Sequence, residues 1–161
     1  MPEVIVNTSP IQYLYQLGQI ELLQILYGDI LLPFYVKEEI DTGLEYHLEL
    51  PIIEKYSWMK ITKSSNLGLI AFPSILGKGE KECIAIALEN QQSTVVLDDL
   101  IARKFAKALG IKITGTLGIL LKAKEEKHLT SIRPCLDKLI QLGFRIHPNT
   151  YKDMLSLSQE K

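Results

Sequence analysis

The chain has 161 residues, of which 47% are hydrophobic and 23% charged, with seven prolines and a formal net charge of −1. That length holds one domain with a sizeable core and is short for two, and the composition excludes a disordered chain. A charge so near zero excludes the overall basic character of a general nucleic-acid coat, which leaves only a local patch to serve that purpose. Cys83 and Cys135 are far apart and lack metal-type spacing, so neither a disulfide framework nor a zinc ribbon is suggested, and Cys83 reads as a small core residue. No segment approaches the roughly 18 uninterrupted apolar residues of a membrane span, and no basic stretch leads into an apolar core at the start. A cytoplasmic protein without a membrane partner is therefore expected.

In chain order, strands are predicted at Glu3 to Val6, Ile30 to Leu32, Lys60 to Thr62, Thr94 to Leu97 and Lys112 to Thr114, with a sixth at Phe144 to Ile146. Helical patterns fill the intervals, and strands alternating with helices predict an α/β fold with a mostly parallel sheet covered on both faces. Ser9 and Pro10 read as an N-cap and first helical residue, opening two short helices broken near Gly18. Gly43 to Phe72, interrupted by Pro51, Trp58 and Gly68, is the least periodic stretch, with a short helix expected around Leu44 to Tyr56, then a strand and a loop. Lys63 to Ile75 reads as a mobile segment. Gly79 and Glu80 open another helix with a stripe of Ile84, Ala85, Ala87 and Leu88, and Gly110 stops the next one. Residues 1–157 form a single domain in this reading, and 158–161 a flexible end.

The polar groups worth weighing stand where strands run into helices. Asn7 follows VIV, Glu39 lies in PFYVKEEI, Glu80 in GKGEKECIAIAL, and Asp98 and Asp99 follow VVL. If these junctions share one edge of a parallel sheet, all five converge on one acidic pocket. Taken singly, Asp99, Glu80 and Ser9 fit helix capping better than chemistry, and Asp98 fits a turn bonded to local backbone N–H groups equally well. Lys78, Lys81, Arg103, Lys104 and Lys107 lie near the acidic junctions. A groove for a single strand of RNA is the functional reading, and a solvated helix face the bland and favoured one. His47, His128 and His147 have no metal spacing, and no G-x-S-x-G, P-loop or G-x-G-x-x-G motif occurs. The GTLG run at Gly115 to Gly118 reads as a tight turn that lets a helix pack close to the sheet.

The succession VIVNTSPI, PFYVKEEI, GKGEKECIAIAL, VVLDDLIARKFAKALGIKITGTLGILLKAK and LIQLGFRI resembles the PIN-domain superfamily, in particular its small prokaryotic PIN-like branch of predicted nucleic-acid-binding proteins. The resemblance runs from about Val4 to about Leu155. It implies a three-layer α/β/α sandwich around a parallel sheet, commonly paired as a homodimer. It further implies a Mg²⁺- or Mn²⁺-dependent ribonuclease acting on single-stranded or structured RNA, as in the toxins held by an antitoxin protein. A catalytically silent module that binds nucleic acid or protein is the alternative. Carried over by position, the catalytic set falls on Asn7, Glu39, Glu80 and Asp99. Metal ligation falls on Glu80, Asp99, Asp98 and Asn7, with Glu39 as a ligand or a support behind them. Nucleic-acid contacts fall on Thr8, Ser9, Lys78, Arg103, Lys104 and Lys107, the two hydroxyls serving either to bond phosphate or to orient a carboxylate. Catalytic PIN domains usually carry aspartate where Asn7 stands.

Clustered carboxylates repel when ionised, and a hard divalent cation removes that penalty while keeping positions for water and phosphate oxygen. Asn7 contributes a neutral carbonyl oxygen, so the site carries one negative charge fewer than the usual arrangement. Weaker Mg²⁺ binding, restricted to a single ion, is expected.

Overall fold

The computed structural model describes residues 2–161. Five short apolar runs become strands, β1 (Val4–Val6), β2 (Ile30–Pro33), β3 (Met59–Thr62), β4 (Thr94–Val96) and β5 (Lys112–Thr114). They pair in the order β3-β2-β1-β4-β5, and every pairing is parallel. A parallel sheet must be covered on both faces, and the central strand shows it, since all three residues of β1 are buried while the edge strands expose Lys60, Ile61 and Lys112.

Eight α-helices supply the cover among the described residues: α1 (Thr8–Gln16), α2 (Glu21–Tyr27), α3 (Phe34–Glu45), α4 (Lys78–Glu89), α5 (Leu100–Ala108), α6 (Thr116–Glu125), α7 (Arg133–Gln141) and α8 (Pro148–Leu157). The result is a three-layer α/β/α sandwich. Helix α4 crosses β1, β2 and β4 and packs on α3, whereas α6 packs against α1, α2 and α8. Seven α4 residues are buried, among them Cys83, Ile84, Ala85, Ile86 and Ala87. Gly18, at φ +71°, breaks α1 from α2 as its position in the sequence predicts.

The strand order matters for function because the chain leaves β1 toward β2 on one side and reaches β4 on the other. Such a switch of direction opens a crevice at the carboxyl ends of the two diverging strands. The registers Val4↔Thr94 and Val6↔Val96 place β1 and β4 level with one another. The ladder continues past them, with Asn7 N–H donating to Val96 O at 3.1 Å and Leu97 N–H to Thr114 O at 2.9 Å. Asn7, Asp98 and Gly115 therefore emerge side by side.

Several local expectations are corrected. Helix α1 begins at Thr8 with Asn7 as its N-cap residue, so Ser9 and Pro10 lie inside its first turn. The helix expected around Leu44 to Tyr56 is the end of α3, followed by turns and a single 3-10 turn at Ile53–Lys55, because Pro51 and the positive φ of His47 prevent a longer run. Phe144 to Ile146 forms no strand, since the segment only links α7 to α8 and its Phe144 packs edge-on against Tyr13 at 5.0 Å between ring centroids. The segment Lys63 to Ile75, expected to be mobile, is anchored at Ser64, Ser65 and Phe72. Ser65 N–H donates to Glu89 at 2.8 Å, Ser64 N–H to Glu82 at 3.3 Å, and Phe72 packs on Phe105.

Glu160, inside the tail expected to be flexible, is held on all sides. Its carboxylate accepts from Ile132 N–H at 2.9 Å, Arg133 N–H at 3.3 Å, Lys124 Nζ at 3.1 Å, Ser158 Oγ at 2.9 Å and Ser131 Oγ. Two of those donors open α7, where the first N–H groups of a helix have no partner of their own. Burial alone would raise the Glu160 pKa, but the bonds from Ile132, Ser131, Lys124 and Ser158 outweigh it and hold the group far below the ordinary 4.5. A carboxyl whose folded pKa is depressed stabilises the fold above its unfolded pKa and loses that contribution as the pH falls toward the folded value. Glu160→Ala is expected to cost about 1–3 kcal/mol at pH 7. In urea titrations at a series of pH values, the gap between variant and native chain should close progressively below about pH 4.5.

Candidate functional site

The crevice between β1 and β4 is floored by an amide. Asn7 is only 6% exposed, and although it occupies the N-cap position of α1 its side chain makes no capping bond. Its carbonyl oxygen faces the buried Cys83 Sγ at 3.9 Å, a weak contact that leaves a second lone pair. Burial, followed by the charges of Glu39, Glu82 and Glu80, pushes the Cys83 thiol well above its ordinary pKa, so it stays protonated beside Asn7.

The carboxylates around this amide divide into two kinds. Asp98 accepts three bonds: one oxygen accepts from Thr116 N–H at 2.8 Å, the other from Thr116 Oγ1 at 2.7 Å and Ser9 Oγ at 3.0 Å. It thereby ties the end of β4 to the first turns of α6 and α1, and Gly115 makes room for it. A Cβ there would lie 2.8 Å from Asp98 Oδ1 and 2.9 Å from Arg103 Nη1. Its partners are Thr116 and Ser9 rather than the backbone of its own turn, and both of its oxygens are engaged. Glu39 is equally engaged, with Thr8 Oγ1 donating to one oxygen at 2.5 Å and Gly79 N–H to the other at 3.2 Å. Gly79 is buried there because a Cβ would come within 2.7 Å of Glu39 Oε1 and 3.2 Å of Val36.

Glu80 and Asp99 are different. Each caps its own helix through one oxygen, Glu80 accepting from Gly77 N–H and Asp99 from Ala102 N–H, both at 2.9 Å. The capping reading of both residues is thus correct, but it uses only half of each carboxylate. Among the described residues, no protein hydrogen bond reaches the second oxygen of either. Burial raises the Glu80 pKa above 4.5; the Gly77 bond opposes it, and the charges of Asp99 and then Glu39 add to it. Glu80 therefore feels both neighbouring carboxylates, and among the described residues no lysine or arginine ion pair relieves it.

The expected nucleic-acid residues separate in the same manner. Thr8 and Ser9 orient carboxylates. Arg103 turns back to donate from Nη1 to Leu97 O at 2.9 Å, whereas Lys104 and Lys107 remain exposed on α5. Lys78 is exposed at the start of α4, with its ammonium 5.5 Å from the centre of the Tyr35 ring. One residue of consequence escapes the motif reading. Glu82, 2% exposed, accepts from Tyr35 N–H at 2.8 Å and Ser64 N–H at 3.3 Å, so a buried carboxylate on α4 fixes both the start of α3 and the chain beyond β3. Its signal in the sequence is helical spacing, three residues after Gly79 and four before Ile86 on the buried face of α4.

A family model described as PIN domain matches residues 3–160. The chain belongs to the PIN domain family. PIN domains are nuclease-type or nucleic-acid-binding modules and generally use divalent metal ions. No curated protein compared with the chain matches it. Among the described residues, no helix is long and apolar enough to cross a membrane. Nor do three His, Cys, Asp or Glu side chains of the described residues group as a metal cage would require.

Because Glu80 has a raised pKa, ionising it costs the fold stability: the cost is absent below its unfolded pKa and appears as the pH rises through the folded one. Glu80→Gln keeps the bond to Gly77, as glutamine also serves in that capping position. Without added metal, the variant is expected to melt above the native chain at pH 7, with the difference vanishing as the pH falls through the carboxylate range. Differential scanning calorimetry at stepped pH measures this directly.

Proposed function

We propose that this PIN domain hydrolyses phosphodiester bonds of RNA with one divalent cation, Mg²⁺ or Mn²⁺, held by Glu80, Asp99 and Asn7. The observation that carries the reading is the pair of half-used carboxylates, Glu80 and Asp99, at the switch point of a parallel sheet, where the Asp99 charge reaches Glu80 and neither forms an ion pair among the described residues. A hard dication suits these oxygen donors, and it relieves their mutual repulsion. When bound, such a cation lowers the pKa of a water and neutralises charge on a phosphate oxygen.

The remaining residues hold this arrangement in place. Glu39 braces the start of α4 through Gly79 N–H and the start of α1 through Thr8, so it orients Glu80 without competing for the cation. Asp98 locks the turn from which Asp99 projects. Asn7 keeps the pocket one negative charge short, which favours a single, weakly held ion. The same shortage supports a second reading, a silent PIN domain that binds nucleic acid or a protein partner. Two further roles belong to the proposal: action in the cytoplasm as the toxin of a toxin–antitoxin pair, and a homodimeric state.

Calorimetric titration of Mn²⁺ tests the site. Removing both free carboxylates in Glu80→Gln/Asp99→Asn is expected to weaken binding more than about 100-fold, and Glu39→Gln, which acts through Thr8 and Gly79, about 10- to 100-fold. Asn7→Asp should tighten it. Affinity should fall as the pH is lowered, beginning at a higher pH than an ordinary glutamate would give, because Glu80 must lose its proton to bind. Native protein that binds no Mn²⁺, or binds it equally after the double substitution, would leave the silent-module reading in possession.

A further inference from the structure

Helices α3 and α4 each begin with an N–H that the other helix satisfies. Tyr35 is the second residue of α3 and Gly79 the second of α4, positions whose N–H groups find no partner within their own helix. Tyr35 N–H donates to Glu82 Oε1 at 2.8 Å, and Gly79 N–H donates to Glu39 Oε1 at 3.2 Å. Each helix thus gives its neighbour one N–H and one carboxylate, and the exchange closes a brace of two bonds across the contact between them. A shift of α3 along α4 would lengthen both bonds at once. Glu82 carries the inner half of this brace, being 2% exposed, and its second oxygen accepts from Ser64 N–H at 3.3 Å. Among the described residues its oxygens accept from backbone N–H groups alone.

We infer that Glu82 is a positioning residue for the acidic pocket: through Tyr35 and α3 it sets Glu39 against Gly79, and with it the turn of α4 that presents Glu80. Glu80 directly follows Gly79, and Thr8, the other partner of Glu39, directly follows Asn7. The brace therefore ends on two of the three groups assigned to the cation. A carboxylate suits the inner position for two reasons. It is drawn to the positive end of α3, and it has an acceptor oxygen for each of the two N–H groups that arrive, whereas an amide has only one. An anchor that merely pinned the chain locally would act on Tyr35 and Ser64 and go no further. Positioning requires an effect at Gly79, whose N–H Glu82 does not bond. This inference rests on the reading of Glu80 and Asn7 as cation ligands and adds the residue that holds them in register.

Amide hydrogen exchange of the metal-free protein, followed by NMR, reads the two bonds separately, because the N–H of a second helical residue is protected by its partner outside the helix. Glu82→Ala is expected to speed exchange at Tyr35 by about ten-fold or more, as loss of a bond to a charged group implies, and to speed Gly79 as well. Glu39→Ala should do the converse, freeing Gly79 directly and Tyr35 across the brace. Ile132 N–H, held by Glu160, is the control and should keep its native rate. Mn²⁺ affinity, titrated where circular dichroism shows Glu82→Ala fully folded, should fall about 10- to 100-fold. If Glu82→Ala does not fold, Glu39→Ala, a change at an exposed side chain, carries the exchange test, and Glu82→Gln should still move Tyr35 and Gly79 together. Variants that each free only their own partner, or a native Gly79 without protection, would overturn the inference. So would an acceleration at Ile132 as large as that at Gly79, which marks general loosening. Coupled exchange in a protein that binds no Mn²⁺ keeps the brace and removes the cation reading. Mn²⁺ binding that is lost in Glu80→Gln/Asp99→Asn yet native in Glu82→Ala keeps the cation and removes the positioning role.

Discussion

The corner of the candidate site between β4, α6 and α1 depends on the carboxylate of Asp98. Its three hydrogen bonds join the end of β4 to Thr116 at the start of α6 and to Ser9 in α1. Without that knot, the turns at the diverging strand ends would be free to separate, and Asp99 would project from a loop rather than from a fixed corner. Bonds from a hydroxyl and an N–H to a charged acceptor are among the stronger ones available to a protein. The tight clearance at Gly115 shows how closely the chain is drawn around this one side chain.

A division of labour among similar groups follows. Five acidic side chains lie on or near the same edge of the sheet, yet their surroundings give them different tasks. Asp98, Glu39 and Glu82 use their oxygens to hold backbone and hydroxyls in place, whereas Glu80 and Asp99 keep one oxygen each in reserve. Charge repulsion is tolerated only where it is useful, at the pair left without full partners. Asn7 fits this arrangement, because an amide at the floor of the crevice adds a donor atom without adding to the repulsion, beside a thiol that is itself kept neutral.

The parallel order of strands and helices was legible from the sequence because each element carries a local signature, such as VIV and VVL for buried strands or Gly18 and Gly110 for helix ends. Asn7, Asp98 and Asp99 were legible for the same reason, since a residue just after a strand is placed by the sheet, whereas Glu39 lies inside α3 and Glu80 opens α4 with no strand directly before it. What escaped depends on partners distant in sequence. Glu160 reads as one more polar residue in a tail until Ser131 and Ile132 are brought to it from the turn before α7. Asp98 and Asp99, adjacent and chemically identical, could not be told apart from sequence, since Thr116 and Ser9, both distant in the chain, decide which is more fully bonded. The stretch from Gly43 to Tyr56 failed for a different cause, its apolar residues having no period because they pack from turns.

The register that sets Val4 against Thr94 has a consequence for how the molecule comes into being. Pairings between strands this far apart along the chain require a large loss of chain freedom before any contact offsets it, and folds dominated by them form slowly. The crevice is the meeting of the first strand with the fourth, so none of its local pieces can assemble it early. Its polar groups are brought together only when the two strands pair, so no single local piece of the chain carries the site.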